Sequence, residues 1–233
     1  MQTFRRIKYD ILGRTEIYMK KYKVIAFDLD GTLTNPEKGQ LTGFEYALKR
    51  HGISYPSREW LKRYIGPPIH DLWQEDFGLT LGKVCEMIDT YREYYNVYGF
   101  RENDMYDGIP EVLDALKQKG YTLIIATGKP EGIANKILHL FGLDRYFDFV
   151  GGATEDDSRH RKCDVLRYAL DNVGAKPDEA ILIGDRKFDA EGAQALGADS
   201  LGVLWGHGTR EEIFSSGFNY TAERPEEILN LLL

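Results

Sequence analysis

Cysteine is scarce in this sequence: Cys85 and Cys163 are the two cysteines in 233 residues. Neither lies in a C-x-x-C pair or in a Cys/His ligand pattern, so the sequence encodes no disulfide framework and no zinc site. Chains without disulfides are typical of reducing compartments, and we therefore expect a cytoplasmic protein.

Long apolar runs and an excess of basic charge are also missing. No stretch approaches the roughly 18 to 20 apolar residues that cross a bilayer, and the first 19 residues lack the apolar core of a secretory signal. Lys and Arg total 30 against 37 Asp and Glu, which gives a formal net charge of −7. Proteins that bind nucleic acid or anionic membranes need a concentrated basic surface, so we expect neither as a partner.

The sequence does contain an alternation of buried strands and amphipathic helices. Unbroken apolar or β-branched runs predict four strands, and helical periodicity separates and follows them. The predicted strands are residues 24–27, 122–126, 180–183 and 201–204. This alternation predicts an α/β fold with a doubly wound parallel sheet.

One long segment interrupts the alternation, because residues 35–103 show helical patterns and no convincing strand. We expect a helical insert here, between the first strand and the rest of the sheet. The core domain would then consist of residues 20–34 and 104–233. The first strand of such a fold normally lies near the start, so residues 1–19 are expected to be an N-terminal extension or a misplaced start, with Met19 as the alternative beginning.

Polar side chains follow three of the predicted strands. Asp28 and Asp30 come after the first strand, Thr127 after the second, and Asp185 and Asp189 after the third. Because the carboxyl ends of parallel strands share one edge of the sheet, these side chains should converge where ligands bind. Gathered carboxylates need a cation, and all-oxygen ligands favour Mg²⁺, which readily accepts a phosphate oxygen. The sequence therefore predicts a magnesium site for a phosphate ester.

Backbone amides are expected to bind the remaining phosphate oxygens. The turn that contains Gly31 and Thr32, and the turn at Gly128 after Thr127, would present their N–H groups as backbone nests do.

These residues and their neighbours resemble the sequence motifs of a known protein family. The run Asp-Leu-Asp-Gly-Thr-Leu-Thr at residues 28–34 resembles the first motif of the haloacid dehalogenase superfamily. Thr127 resembles the second motif, Lys162 the basic third, and residues 184–189 the acidic fourth. Four motifs in the family's order, spread over residues 24–197, make the resemblance specific. The helical insert is similar to the cap domain of the family's first subclass.

The resemblance implies a phosphatase and assigns roles to the strand-end residues. Asp28 would attack phosphorus, and Asp30 would act as general acid and then as general base. Mg²⁺ would be held by Asp28, the Asp30 carbonyl and Asp185. Thr127 and Lys162 would bind the phosphate oxygens on which charge accumulates.

The third-motif base has alternatives in the sequence, because Arg159 and Arg161 lie beside Lys162. Lys162 is favoured since it directly precedes a predicted helix. Asp189 is expected to orient Lys162 or a metal-bound water. Asp185 taken alone would equally suit a helix N-cap.

Substrate recognition is assigned to the insert. A cation, an aromatic ring and a stiff turn occur together there, which makes the segment a candidate specificity loop, with an ordinary helix–helix turn as the alternative. The residues of this loop are Arg63, Tyr64, Gly66, Pro67 and Pro68.

Details of the motifs narrow the range of reactions and substrates that we expect. The Ile-Gly-Pro-Pro turn and the Gly-Asp-Arg run are similar to phosphatases related to phosphoglycolate phosphatase, including a branch of 5′-nucleotidases. Mutase relatives carry a histidine where this chain has Gln40, and dehalogenases lack the aspartate found here as Asp30. The expected reaction is Mg²⁺-dependent hydrolysis of a small phosphorylated metabolite such as phosphoglycolate or a nucleoside 5′-monophosphate. The alternatives are a phosphotransferase or sugar-phosphate mutase, and a non-catalytic module that binds phosphorylated ligands.

The other polar and aromatic residues are expected to have no catalytic role. Lys129 follows Thr127 and Gly128 without the glycines of a Walker motif, so it is expected to be a surface residue near the site. An aromatic band in the insert predicts a packing surface, and the five scattered histidines predict structural or exposed positions. The band consists of Tyr91, Tyr94, Tyr95 and Tyr98, and the histidines are His51, His70, His139, His160 and His207.

Overall fold

The computed structural model describes residues 22–67, 69–156 and 158–233 with their side chains. It also gives the backbone of two short strands, β1 (Ile7–Tyr9) and β2 (Thr15–Ile17), which pair antiparallel. The rest of the predicted extension at residues 1–19 lies outside the described residues, and so does Pro68 of the predicted specificity loop.

A parallel sheet of six strands forms the centre of the core. In chain order the further strands are β3 (Val24–Phe27), β4 (Thr34–Asn35), β5 (Asp104–Met105), β6 (Thr122–Pro130), β7 (Phe149–Ala153), β8 (Ala180–Gly184), β9 (Asp199–Val203) and β10 (Tyr220–Ala222). The sheet has the order β10-β9-β8-β3-β6-β7, and its pairs are parallel. The predicted α/β fold with a parallel sheet is confirmed.

Nine α-helices surround the sheet or form the insert within the described part of the chain. They are α1 (Glu37–Arg50), α2 (Ile69–Phe77), α3 (Leu81–Tyr95), α4 (Ile109–Gln118), α5 (Glu131–Leu140), α6 (Lys162–Asn172), α7 (Lys187–Leu196), α8 (Arg210–Ser215) and α9 (Glu227–Leu232). Short 3₁₀ helices lie at Trp60–Tyr64, Gly99–Arg101, Asp144–Tyr146 and Pro177–Glu179. None of the helices described is long and apolar enough to span a membrane.

The alternation of side chains along β3 explains why helices cover both faces of the sheet. Ile25 and Phe27 belong to a cluster that includes residues of α4, α5 and α9. Val24 and Ala26 point to the opposite face, into a cluster with residues of α6 and α7. Successive side chains of a strand face opposite sides, so a strand that is apolar at every position needs cover on both.

The insert has an apolar core of its own, made by α1, α3 and the segment between them. Phe44 of α1, Trp73 of α2 and Met87 of α3 are buried together there. The chain enters the insert through β4 and leaves it through β5, which pair antiparallel with Thr34 opposite Met105 and Asn35 opposite Asp104. We refer to residues 36–103 as the cap.

Several strand predictions need correction. The four predicted strands are present, but β7 and β10 were missed, and so were β4 and β5 at the ends of the cap. Strand β6 extends to Pro130 with a register shift against β7 between Ala126 and Pro130. Thr127 and Gly128 are therefore part of an irregular strand end rather than a turn. Helix α5 begins directly after this strand, at Glu131.

Candidate active site

Three neighbouring strands bring the predicted site residues to one edge of the sheet. Phe27 of β3 is paired with Ile125 of β6 and with Ile183 of β8. The Asp28 amide continues this ladder by donating to the Ile183 carbonyl at 2.8 Å. Because these strands end in register, the residues that follow them lie next to one another, as the sequence predicted.

Three buried carboxylates form a cluster at this edge. One oxygen each of Asp28, Asp185 and Asp189 lies within 4.8 Å of the others. Asp185 Oδ2 accepts a hydrogen bond from the His207 amide at 2.7 Å, whereas Asp185 Oδ1 is buried without a hydrogen-bond partner. Burial, followed by the charges of Asp189 and Asp28, raises the pKa of Asp185 well above its ordinary value. The ionised form of Asp185 is therefore disfavoured here unless a cation compensates its charge.

Lys162 is the cation of this cluster. Its Nζ lies 3.0 Å from Asp28 Oδ1, 2.9 Å from Asp189 Oδ1 and 3.1 Å from the Ala126 carbonyl. Burial lowers the pKa of Lys162, but Asp189 and Asp28 raise it by more, so the net pKa is above its ordinary value. The ammonium group therefore stays charged between two carboxylates. The flanking Arg159 is instead directed to Glu131 and to the ring of Tyr168.

The cluster fits a divalent cation. One lysine faces three carboxylates, and burial, the largest influence, raises the pKa of Asp189 to about 6 although Lys162 opposes this. Such a set of oxygen ligands with an unpartnered atom at Asp185 is the donor chemistry of Mg²⁺. The cluster contains the side chain of Asp189 but not the side chain of Asp30.

Glycine at position 31 allows the first motif to pass close to Asp185. Gly31 has a φ of +77°, and a Cβ there would lie 2.1 Å from Asp185 Oδ2. Any side chain would therefore push into the carboxylate cluster, in addition to straining the backbone.

Asp30 contacts the cap and lines both cavities between the cap and the core, including the one that contains the cluster. Its Oδ2 accepts a hydrogen bond from Gln40 Nε2 at 2.9 Å and is ion-paired with Lys129 Nζ. Asp30 Oδ1 is buried without a hydrogen-bond partner. Lys129 also lies over the ring of Tyr95, 4.8 Å from its centroid, and is only 8% exposed. The prediction of a surface lysine was wrong, because the irregular end of β6 turns Lys129 inward.

The predicted phosphate-binding amides divide into two groups. The amides of Gly31 and Thr32 already donate within their own turn, to the Thr34 and Leu29 carbonyls at 2.7 and 3.3 Å. These hydrogen bonds do not support the role that we predicted for Gly31 and Thr32. Gly128, in contrast, lines the space in front of the cluster.

Thr127 lies in the predicted position beside the cluster. It is 1% exposed and lines the same space, and its Oγ1 accepts a hydrogen bond from the Lys129 amide at 3.2 Å. Lys162, whose Nζ donates to the carbonyl of the preceding residue Ala126, lines this space as well.

Two adjoining cavities lie between the cap and the core. One of about 400 Å³ contains the carboxylate cluster together with Thr127 and Lys162. The other, of about 440 Å³, extends from Asp30 and Lys129 between the cap helices and the core. The two cavities share the lining residues Asp30, Gly66, Gly128, Lys129 and His160.

The predicted specificity loop is only partly directed at these cavities. Tyr64, Gly66 and Pro67 line the wider cavity. Arg63 is among the lining residues of neither cavity; it is 3.5 Å from Asp76 and lies over the ring of Trp60. The arginine thus contacts the cap itself.

Sequence reasoning missed or undervalued several cavity residues. His160 lines both cavities, His70 the wider one and His207 the one at the cluster. Tyr91 and Tyr95 stack at 5.2 Å in the predicted packing surface and also line the wider cavity. Scattered positions along the chain gave no signal that these side chains share a space.

Several known proteins are similar to this chain in sequence and in fold. The family model described as "Haloacid dehalogenase-like hydrolase" matches residues 25–203. A 5′-nucleotidase of Pseudomonas aeruginosa is 38% identical over 83% of this chain and 87% of its own length. The tyrosine-protein kinase PtkA of Mycobacterium tuberculosis is 36% identical over 82% of this chain. The match covers 65% of the length of that relative. A predicted phosphatase from Clostridium acetobutylicum superposes with a TM-score of 0.86 at 36% identity, over 90% of this chain and 99% of that structure.

Proposed function

Because the chain belongs to the haloacid dehalogenase-like hydrolases, we propose that it is a Mg²⁺-dependent phosphatase that hydrolyses phosphomonoesters of small metabolites. The observation that carries this proposal is the buried cluster of Asp28, Asp185 and Asp189 around Lys162 at the carboxyl edge of the sheet. Asp30, two residues after Asp28, supplies the group that phosphate-ester cleavage needs for proton transfer.

In the first step, Asp28 attacks phosphorus and the bond from phosphorus to the leaving oxygen breaks. The leaving oxygen takes a proton from Asp30 and departs as an alcohol. Asp28 Oδ1 accepts the Leu29 amide at 2.8 Å and contacts Lys162 Nζ at 3.0 Å, which leaves Oδ2 as the attacking oxygen. Thr127 and Lys162 bind the phosphate oxygens on which charge accumulates.

In the second step, water attacks the phosphorus of the aspartyl-phosphate, and Asp30, now a carboxylate, takes the proton of that water. The bond between phosphorus and Asp28 breaks, which releases inorganic phosphate and restores Asp28. Gln40 and Lys129 both contact Asp30 Oδ2, so the buried and unpartnered Oδ1 is the atom suited to carry the proton.

The residues that would hold Mg²⁺ are Asp28, the backbone carbonyl of Asp30, and Asp185. Asp189 either joins them or orients a bound water while it contacts Lys162. The ion supplies positive charge that screens the anionic nucleophile from the anionic phosphate.

Phosphoglycolate and nucleoside 5′-monophosphates are the substrate types that we propose, in a cytoplasmic setting. The name of the Pseudomonas aeruginosa relative favours nucleotides. The second candidate function is phosphoryl transfer to an acceptor other than water, and the relative named as a tyrosine-protein kinase is the observation that favours it. The two differ in product, since hydrolysis releases inorganic phosphate and transfer yields a phosphorylated acceptor.

The proposed nucleophile is tested by Asp28→Asn, which keeps the size of the side chain and removes its charge. We expect phosphate release from p-nitrophenyl phosphate with Mg²⁺ to fall at least about a thousandfold, as for other lost nucleophiles. Asp89→Asn is the matched control, because Asp89 is an exposed carboxylate on cap helix α3 and should leave turnover unchanged.

Full activity of Asp28→Asn would overturn the assignment of the nucleophile. A panel of phosphoglycolate, nucleoside monophosphates and sugar phosphates, compared by kcat/KM, then identifies the substrate type. Absence of phosphate release from the whole panel by the unmodified protein would contradict the proposed function.

A further inference from the structure

Arg186 connects the carboxylate cluster to the cap. It directly follows Asp185, but its side chain leaves the cluster, and its Nη1 donates to the backbone carbonyl of Ile65 in the cap at 2.5 Å. The Arg186 amide donates to Asp189 Oδ2 at 3.1 Å. One residue of the core thus contacts both a carboxylate of the cluster and the backbone of the cap.

Glu212 fixes the Arg186 side chain from the core side. Arg186 Nε donates to Glu212 Oε1 at 2.9 Å, and Nη2 lies 3.4 Å from Oε2, so the two planar groups meet as a fork. Glu212 Oε1 also accepts the Lys187 amide at 2.9 Å. Both side chains of the fork are mostly buried, with 16% and 19% exposed. The fork therefore holds the guanidinium with Nη1 directed toward the cap.

The cap loop at Ile65 and Gly66 has a backbone conformation that allows Arg186 to approach closely. Gly66 has a φ of +99°, and a Cβ there would lie 2.7 Å from Arg186 Nη1. Ile65 and Gly66 both line the cavity that contains the carboxylate cluster. The carbonyl of Ile65 is thereby presented directly to the arginine, at the entrance to the space where phosphate would bind.

We infer that Arg186 is a positioning residue that latches the cap loop over the cavity that contains the carboxylate cluster. This inference rests on the proposed function and adds how the closed form is held. A hydrogen bond to a backbone carbonyl is independent of the cap side chains, so it holds the loop without selecting the substrate. Entry of substrate and departure of phosphate require this bond to break and to form again, while the fork with Glu212 stays intact on the core.

The latch is tested by Arg186→Gln in the full chain, with Arg210→Gln as the control. Arg210 lies on α8, two residues from Glu212, and its ion pair with Glu223 is exposed. Hydrogen exchange at the amides of residues 60–66 should become about tenfold faster in Arg186→Gln, as expected for loss of one charged hydrogen bond, and should not change in the control. The KM for p-nitrophenyl phosphate should rise by a similar factor while kcat changes less than KM.

The outcomes separate the latch from the proposed function. Unchanged exchange at residues 60–66 overturns the latch, whatever the kinetics, and so does a loss confined to kcat. Faster exchange in a protein that releases no phosphate supports the latch and contradicts the phosphatase. If Arg186→Gln does not fold, Glu212→Gln tests the same fork from its other side, and the same exchange result is required of it.

Discussion

At the scale of single residues, Lys129 and Asp30 form a charged pair from two strands that is largely closed to water. Their side chains are 6% and 14% exposed, and Gln40 of the cap is the other donor to the Asp30 carboxylate. Removing one partner of a buried pair leaves the other charge without compensation, which costs more than the pair itself contributes. The pair should therefore matter to folding as well as to proton transfer.

We expect Lys129→Met to lower the free energy of unfolding by about 3 kcal/mol, because it leaves the Asp30 carboxylate buried beside Gln40 alone. Urea denaturation measures this loss. Adding Asp30→Asn should restore most of the stability, since the second change removes the uncompensated charge. Lys136→Met, at an exposed lysine of helix α5, is the control and should change stability little. A double variant no more stable than Lys129→Met would contradict this explanation.

Lys129 also shows why part of the site was not predictable. The apolar run of β6 ends at Ala126, and the residues that follow look like a turn. The register shift between Ala126 and Pro130 is set by the pairing with β7, which is a contact between distant parts of the chain. Asp28, Thr127 and Asp185 were predictable because each directly follows an apolar strand, whereas the direction of Lys129 depends on the neighbouring strand.

At the scale of elements, the strands that were found and those that were missed differ in composition. Strand β3 is apolar at every position because helices cover both its faces. Strand β7 contains Gly151 and Gly152, where a Cβ would lie 2.9 Å from Ala169 Cβ and 2.5 Å from Glu131 Cα. Close packing against α6 and the start of α5 thus removes the apolar signature by which a strand is recognised.

Helix α8 has only six residues, and its N-terminal contacts tie it to the core. The Thr209 hydroxyl accepts the Glu212 amide at 3.1 Å and so caps the start of the helix. The Glu212 carboxylate accepts hydrogen bonds from Arg186 and from the Lys187 amide, both outside this helix. Burial raises the pKa of Glu212, but these contacts lower it by more, so the net pKa is below the ordinary value of 4.5.

This lowered pKa predicts how the stability of the protein depends on pH. A carboxylate whose pKa is lower in the folded state stabilises that state above its unfolded pKa, and the contribution is lost as pH falls through the folded pKa. We expect Glu212→Gln to lower the free energy of unfolding by about 1 to 2 kcal/mol at pH 7 and to have a progressively smaller effect below pH 4.5. Urea denaturation at several pH values measures this. Glu211→Gln, at the exposed neighbour, is the control, and an effect of Glu212→Gln that stays constant down to the acid range would contradict the prediction.

At the scale of the whole molecule, a metal ion bound by the carboxylate cluster would link metal binding to folding. Asp28, Asp185 and Asp189 come from two strand ends and converge only in the folded chain. An ion that binds the folded state and not the unfolded state stabilises the protein in proportion to the logarithm of its concentration over Kd.

We therefore expect Mg²⁺ at a hundredfold excess over its Kd to stabilise the protein by about 2.7 kcal/mol. For a chain of this length the midpoint of thermal unfolding should rise by about 5 to 10 °C. NaCl of equal ionic strength is the control for screening, and Asp185→Asn should lose most of the rise. Equal shifts in the variant and the unmodified protein would show that the ion binds elsewhere.

The paired strands β4 and β5 have a consequence for how such proteins diversify. They place the two ends of the cap side by side, with Thr34 opposite Met105. A segment whose ends are already neighbours can be lengthened, shortened or exchanged for another at little cost in loop closure. The catalytic edge of the sheet can thus remain constant while the segment inserted between β4 and β5 changes. The same reaction can then act on substrates whose leaving groups differ in shape.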